Sequence, residues 1–500
     1  MLQITDAEVK KRLAFDNPWW DHGAVAAQIR AWKKRAYLEG FHKLLTERGV
    51  NRAVVLMGPR RVGKTVMLHQ AIQRLIEDGQ APGTILYVSV DTPVYTGWSL
   101  ERLLDQFMQV HGHDRHALLY VIFDEVQYLR DWERHLKSLV DSYPSMRFVA
   151  SGSAAAALRL KSTESGAGRF TDYMLPCLGF SEFLDFLEVE PPNLEGNETE
   201  RAEVTRQFND HFVDYLNFGG FPEAVLQDSV RSAMDRFVAS DILEKVLLRD
   251  LPSLYGVDNT LDLNRLFTTI AYTTGDEVSL DGLASASGIA KNTLRKYLTY
   301  LEAAFLIVRL PRIDQTARRL KRESHFKVYL TNPCLRAALF GAVTADDEAM
   351  GRMAETAVVS QIAQSPKQPL ARYARWKEGE VDLVYVDFTG KPIHATEIKW
   401  SDRPVERPEE LQALIAFARK HGLKEVGCTT RTADGKRDFG NLLVRFFPTS
   451  VLCAAISLAT KLGVERGANP FKTAETFADL MQRITRPAAG GAGAGGGRSA

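Results

Sequence analysis

The residues Gly58, Pro59, Arg60, Arg61, Val62, Gly63, Lys64 and Thr65 carry the pattern G-x-x-x-x-G-K-[ST]. Glycines at that spacing let backbone N–H groups converge on phosphate oxygens, at the start of a helix whose dipole already favours anions. Lys64 would reach the β- and γ-phosphates and the Thr65 hydroxyl would ligate Mg²⁺, with Val66 completing the nucleotide-binding set. The apolar run at 54–57 and the helical VMLHQAIQRLIED supply the strand–loop–helix context that the motif requires. Asp124 and Glu125 follow a second apolar run, 118–123. Adjacent acids are costly in a core but suit a crevice beyond a strand's carboxyl end. Asp124 would hold the metal through its water shell, and Glu125 would polarise the attacking water. The next strand-like segment, RFVASGS, brings Ser151 and Ser153 to the same edge. Either could contact the γ-phosphate or the lytic water, although serine at a strand end is also ordinary turn chemistry. The expected cofactors are therefore ATP and Mg²⁺, and the expected catalytic set is Lys64, Glu125 and Ser153.

Two further constellations lie downstream. In residues 278–310 a short helix (280–285), a turn at Gly288 and a longer helix (291–302) have helix-turn-helix proportions. Lys291, Asn292, Thr293, Arg295 and Lys296 would face a DNA groove or phosphates, while Leu294, Tyr297, Leu298 and Leu301 belong to a core. FLIVRLPRI and HFKVYLT then read as the strands of a wing. Residues 291–327 hold ten Lys/Arg against three Asp/Glu, a local charge of +7 in a chain of net +1. Such asymmetry is what a DNA footprint looks like in sequence, although winged helices also serve as protein–protein modules. Further on, Glu355 sits in a helical segment, Asp382 opens a strand, and Glu397 and Lys399 lie two apart on the next. Strand residues at i and i+2 share a face, so Glu397 and Lys399 point together and an adjacent strand can bring Asp382 beside them.

The elements that must position these groups follow from periodicity. From about 52 to 186, β-branched runs (AVVLM, TILYVSV, LLYVIF, RFVAS) alternate with helical stretches, the pattern of a parallel sheet covered on both faces. The expected fold class is α/β. A helical segment with NPWW (1–45) precedes a P-loop NTPase core (46–187), then a linker and helical lid region (188–265). A winged helix-turn-helix (266–340), a second α/β unit (345–455), a helical segment (456–489) and a glycine-rich tail (490–500) follow.

Composition narrows the classes. Lys+Arg 63 against Asp+Glu 62 excludes a uniformly basic coat. The cysteines Cys177, Cys334, Cys428 and Cys453 show no C-x-x-C spacing, so neither a disulfide framework nor a zinc site is expected. The longest apolar stretch, 451–459, is too short to span a bilayer. A soluble, cytoplasmic protein is expected.

The order of phosphate loop, strand, acid strand and polar-ended strand resembles the AAA+ ATPase core. GPRRVGKT, FDEVQYL, ASGSAAAAL and ESGAGRF look more closely like prokaryotic AAA+-type ATPases that carry a domain of unknown function after that core. The resemblance extends to NPWW, LPCLGFSEFL and GGFPEAV. It implies a homo-oligomer, a hexamer, in which an arginine of one subunit completes a neighbour's site. Arg169 is the leading candidate and Arg249 the second, and no second sensor arginine is found. The D…E-x-K order is similar to the PD-(D/E)XK nuclease core of restriction enzymes and archaeal junction-resolving nucleases. That likeness implies Mg²⁺ on Asp382 and Glu397, completed by Glu355, with Lys399 positioning water or stabilising the transition state. The expected function is an ATPase that translocates on or remodels duplex or branched DNA, with the C-terminal unit gripping or cutting. A nucleotide-dependent switch for a protein partner and an ATP-gated defence nuclease are the alternatives.

Overall fold

The computed structural model describes residues 4–152, 168–192, 194, 196–257, 259–317, 325–364 and 370–466. Five short strands, β1 (Ala53–Met57), β2 (Ile85–Ser89), β3 (Tyr120–Asp124), β4 (Arg147–Gly152) and β5 (Phe170–Met174), form one sheet in the order β2-β3-β4-β1-β5. Every pairing in it is parallel. Side chains alternate between two cores, as the strand period of two demands. Val54, Leu56, Ile122 and Val149 meet the helices Lys64–Glu77 and Leu38–Thr46. Val55, Met57, Val121 and Phe148 meet the helices Asp6–Asp16, Leu100–His111 and Trp132–Ser142. Both faces are thus covered, which explains why the strands read as unbroken apolar runs rather than alternating ones.

Helices at Phe180–Leu187, Glu198–Phe218 and Thr260–Tyr272, with a π-helical segment at Phe237–Asp250, lead into a second sheet. Its strands are β6 (Glu277–Ser279), β7 (Ile307–Ile313), β8 (His325–Leu330), β9 (Leu370–Trp376), β10 (Gly379–Val386), β11 (Pro392–Glu397), β12 (Glu425–Thr430), β13 (Gly435–Asp438) and β14 (Leu443–Pro448). The order is β13-β14-β12-β11-β10-β9-β7-β8-β6, nine strands without a break. The helix pair Leu280–Ser287 and Lys291–Ala303, joined through Gly288 at φ +71°, is followed by the antiparallel hairpin of β7 and β8. The hairpin does not stand apart from the unit that follows. β7 pairs in parallel with β9 through Arg312 with Tyr373 and Ile313 with Ala374, so one sheet crosses the boundary expected between 340 and 345.

A second difference concerns the C-terminal helix, Thr449–Arg466. Its apolar stretch packs against the helices Phe180–Leu187 and Met350–Gln364 in a shared core. Ser457 accepts a hydrogen bond from the Ser181 N–H at 3.0 Å, and Gln361 accepts one from the Phe180 N–H at 3.0 Å. The segment GFSEF therefore joins the two α/β parts. The expected glycine-rich tail and residues 467–489 lie outside the described residues. All four cysteines are buried and free, and among the described residues no helix is long and apolar enough to cross a membrane.

One ion pair ties the N-terminal arm to this frame. The Arg35 guanidinium donates to both Glu182 carboxylate oxygens, at 3.0 and 2.9 Å, and to the carbonyls of Val62 (2.7 Å) and Pro176 (3.0 Å). Both side chains are buried. Removing one partner strands the other charge, so Glu182→Ala is expected to lose about 3–5 kcal/mol of unfolding free energy in a denaturant titration. A loss below about 1 kcal/mol would show that the pair is dispensable.

Candidate functional site: a phosphate cleft and a carboxylate cluster

The loop between β1 and the helix Lys64–Glu77 has the shape its glycines impose. A Cβ at Gly58 would overlap the carbonyl oxygen of Leu175, and Gly63 sits at φ +93°, a conformation open to glycine. The loop opens on a cleft of about 840 Å³ lined by Arg60, Arg61, Gly63, Lys64, Thr65, Val66 and Glu125. Trp32, Phe186 and Leu226 give its far wall an apolar character. Lys64 is buried and bends back on its own loop, donating to the carbonyls of Gly58 (3.0 Å) and Pro59 (2.7 Å). Burial lowers its pKa, against the opposing pull of Glu125 and Asp124.

The acid pair lies where the motif chemistry requires it. The Thr65 hydroxyl donates to Asp124 Oδ2 at 2.7 Å, so the two hard oxygens expected on Mg²⁺ are already together. Glu125 adopts φ +55° and its carboxylate accepts the Gln127 amide. Burial pushes its pKa up while Lys64 draws it down. A triphosphate and its Mg²⁺ fit this donor set: loop N–H groups and three cationic side chains for the phosphates, Thr65 and Asp124 for the ion. Ser151 differs from expectation, because its hydroxyl is spent on Asp124 Oδ1 rather than offered to the cleft. Ser153 lies outside the described residues.

The loop arginines were legible; their partners were not. Arg60 pairs with Asp250 at 3.4 Å, and Arg61 with Glu223 (3.1 Å) and Asp241 (3.3 Å). These acids reach the loop from the helical region more than 160 residues on, so spacing could not have singled them out. Arg249 is exposed at the same rim, over the Tyr128 ring at 5.5 Å. Arg169 lies elsewhere. Its carbonyl accepts the Ala53 N–H at 2.9 Å, at the end of β1 opposite the phosphate loop, and its exposed guanidinium pairs with Asp141. It is therefore remote from its own cleft.

On the second sheet, Glu355, Asp382, Glu397 and Lys399 do converge. Asp382 is the fourth residue of β10 rather than its first, and Lys399 lies just beyond the end of β11. Lys399 still reaches Glu397 at 2.7 Å and Asp382 at 3.7 Å. The group that the sequence reading missed is Lys327, buried on β8. It donates to Glu355 (2.9 Å) and Asp382 (3.1 Å) and pairs with Glu380 (2.7 Å). Among the described residues no group of three or more His, Cys, Asp or Glu is arranged to hold a metal ion. The residues expected to hold Mg²⁺, Asp382, Glu397, Lys399 and Glu355, are thus seen here in an ion-pair cluster with Lys327. Burial raises the pKa of Glu355; it works against the charge of Asp382 too, but Lys327 and Lys399 hold that group below the usual carboxylate range.

The basic face also narrows. Lys327 belongs to this cluster, Arg309 pairs with Glu302, and Arg312 with Glu277 at 3.5 Å. Arg318, Arg319, Lys321 and Arg322 lie outside the described residues. Lys291, Asn292, Arg295 and Lys296 are exposed on the second helix of the pair, with Thr293 half-buried beside them. Lys291 pairs with Asp281, and Arg295 donates to Asn292 at 2.9 Å.

Two outcomes follow from these geometries. Glu125→Gln should retain nucleotide binding and lose about 10²-fold or more of ATP turnover, measured by binding titration and phosphate release. Turnover at the wild-type rate would remove Glu125 from the water-positioning role. At the other site, burial and then the Asp382 charge push Glu397 up to about 8 from 4.5. The folded chain keeps a proton here that the unfolded chain releases, so this contribution is full below the unfolded value and is lost as pH rises toward 8. Relative to Glu397→Gln, the wild type should lose unfolding free energy between about pH 5 and pH 8. Parallel curves for the two proteins would exclude the shifted group.

Residues 50–184 match an AAA domain family, and residues 209–346 match a domain of unknown function. An uncharacterised protein of Haemophilus influenzae is 25% identical over 265 residues, covering 52% of this chain and 62% of that protein. Another, from Methanocaldococcus jannaschii, is 26% identical over 322 residues, covering 61% and 66%. The chain thus spans less than two thirds of the length of these relatives. Among solved structures, a Walker-type ATPase of Pyrococcus abyssi has 14% identity and a TM-score of 0.38, covering 64% of this chain and 99% of that one. Replication initiator DnaA bound to AMPPCP and single-stranded DNA has 13% identity and a TM-score of 0.28, covering 55% and 91%. Residues 50–184, with their parallel sheet and phosphate loop, form an α/β AAA-type P-loop ATPase domain, and the cofactors of such a domain are ATP and Mg²⁺.

Proposed function

We propose that the chain is an ATPase of the AAA+ type that acts on DNA, using Mg–ATP turnover to translocate on or remodel duplex or branched DNA. The observation that carries this reading is the exposed row Lys291, Asn292, Arg295 and Lys296 on the second helix of a helix-turn-helix, in a chain whose ATP cleft is fully assembled. A winged helix presents that helix to the major groove, with cations set against phosphates. The unit bearing Glu355, Asp382 and Glu397 is similar in order to a PD-(D/E)XK nuclease, and its carboxylates pair with Lys327 and Lys399, with Glu397 Oε2 left buried and unpartnered. It grips DNA rather than cuts it. The active form is a homo-oligomer, a hexamer, in which an exposed arginine, Arg169 or Arg249, serves the neighbouring subunit's γ-phosphate.

A second reading is favoured by one feature. Leu261, Tyr272 and Phe340 expose apolar surface near the helix pair, as a protein-binding face would. In that reading ATP sets the assembly state and the winged helix holds a protein partner.

ATP turnover measured alone and with single-stranded, duplex and four-way-junction DNA separates the two, with Lys64→Ala as the blank and DNA integrity read on a gel. Stimulation by DNA, abolished in Arg295→Glu/Lys296→Glu, is the expected result. Flat turnover with every DNA, together with ATP-dependent assembly, would replace this reading by the switch. In the same assay, Arg169→Ala mixed with Lys64→Ala should recover part of the lost turnover if Arg169 acts across an interface, and none if it does not.

A further inference from the structure

Asp124 is buried and its carboxylate is held by more than the phosphate loop. Oδ2 accepts the Thr65 hydroxyl at 2.7 Å and the Tyr87 hydroxyl at 2.9 Å. Oδ1 accepts the Ser151 hydroxyl and the Glu125 N–H at 3.0 Å. A Thr65 oxygen lone pair can serve Mg²⁺ while its O–H keeps donating to Asp124. Tyr87 is the donor that reaches the same carboxylate oxygen from outside the phosphate loop.

Tyr87 stands on β2, the edge strand of the parallel sheet, which pairs with β3 on one side and, among the described residues, has no strand on the other. Side chains of the N-terminal arm take that place. Asn17 accepts the Tyr87 N–H at 2.6 Å and donates to the Tyr87 carbonyl at 2.9 Å, and to Leu13 O at 2.8 Å. The indole N–H groups of Trp19 and Trp20 both donate to the Ile85 carbonyl, at 3.1 and 2.8 Å. The segment NPWW thus pairs with β2 as a strand would, but through side chains. The Tyr87 ring also lies against His69 of the phosphate-loop helix, with centroids 4.5 Å apart.

We propose that Tyr87 is a positioning residue for the Mg²⁺-holding carboxylate, and that the Asn17–Trp20 clasp fixes it there. The proposal rests on the reading of Asp124 as the metal-holding group. Its phenol keeps the proton it donates, since burial and then the Asp124 charge push its pKa well above the ordinary tyrosine value. The clasp makes the N-terminal arm part of the ATP site, although no residue of NPWW hydrogen-bonds to Asp124 itself.

The test uses the full chain with ADP and Mn²⁺ as the metal probe, read by electron paramagnetic resonance. Tyr87→Phe removes one hydroxyl. It should leave ADP affinity in chelator within about twofold of wild type while weakening Mn²⁺ binding to the ADP complex about tenfold, the scale of a hydrogen bond to a charged group. The Mg²⁺ requirement of turnover should rise in step. Asn17→Asp, or Trp20→Phe should the former fail to fold, should weaken Mn²⁺ binding about threefold. Wild-type Mn²⁺ affinity in Tyr87→Phe overturns the positioning role, and wild-type affinity in the folded clasp variant overturns the clasp. Asp124→Asn separates the two failures: if it too binds Mn²⁺ normally, the assignment of Asp124 is what falls.

Discussion

The buried pair of Arg35 and Glu182 is the interaction on which the ATP cleft's shape depends. A guanidinium taken out of water must have its donors answered, and here the answers come from two distant parts of the chain. Val62 belongs to the phosphate loop, while Pro176 and Glu182 belong to the connection after β5 and the helix that follows it. Because one planar group binds all three, displacing the loop would leave a buried Arg35 donor without its acceptor. Gly58 works in the same direction from below, letting the loop pass against the Leu175 carbonyl where any side chain would collide. The fold thus delivers Lys64 and Thr65 to one point before any ligand is present, and preorganisation of that kind lowers the ordering cost of binding.

Electrostatics in the cleft are arranged in two tiers. The inner tier, Lys64 and Asp124, is buried and expensive to disturb. The outer tier is not. Arg61 meets Glu223 and Asp241 while all three remain about a third exposed, and pairs of that kind contribute about 0–1 kcal/mol. A triphosphate competes easily for such an arginine. The helical region that supplies the acids is therefore linked to phosphate occupancy by weak, replaceable contacts, while the inner tier stays in place.

The second sheet shows how one residue changes the chemistry of a site. Four carboxylates approach one another there, with Lys327 and Lys399 among them and Arg375 on Glu380. Burial and the neighbouring Asp382 charge answer the excess negative charge by raising the pKa of Glu355 and Glu397. The pairing of β7 with β9 brings β8, which carries Lys327, into the same sheet as the carboxylate-bearing strands β10 and β11. The hairpin after the helix pair and the C-terminal strands consequently share one sheet.

Much of the molecule was legible from local pattern. The phosphate loop, the acid pair and the parallel strands are encoded within a few residues each, by glycine stereochemistry, by strand period and by the cost of burying charge. The basic helix and the convergence of Asp382, Glu397 and Lys399 were likewise visible in spacing. NPWW, GFSEF and GGFPE stood out as segments, yet no spacing rule assigns their roles. Asn17 acts on a backbone 70 residues away, Arg35 on a carboxylate 147 away, and Lys327 on Asp382 55 away. A tyrosine inside an apolar strand reads as core until the fold shows the Asp124 carboxylate facing it. Sequence by itself determined which groups could perform phosphate chemistry, because that depends on local geometry. Which ammonium and hydroxyl groups meet each carboxylate was decided only in three dimensions, because a buried charge takes its character from neighbours that the chain brings in from afar.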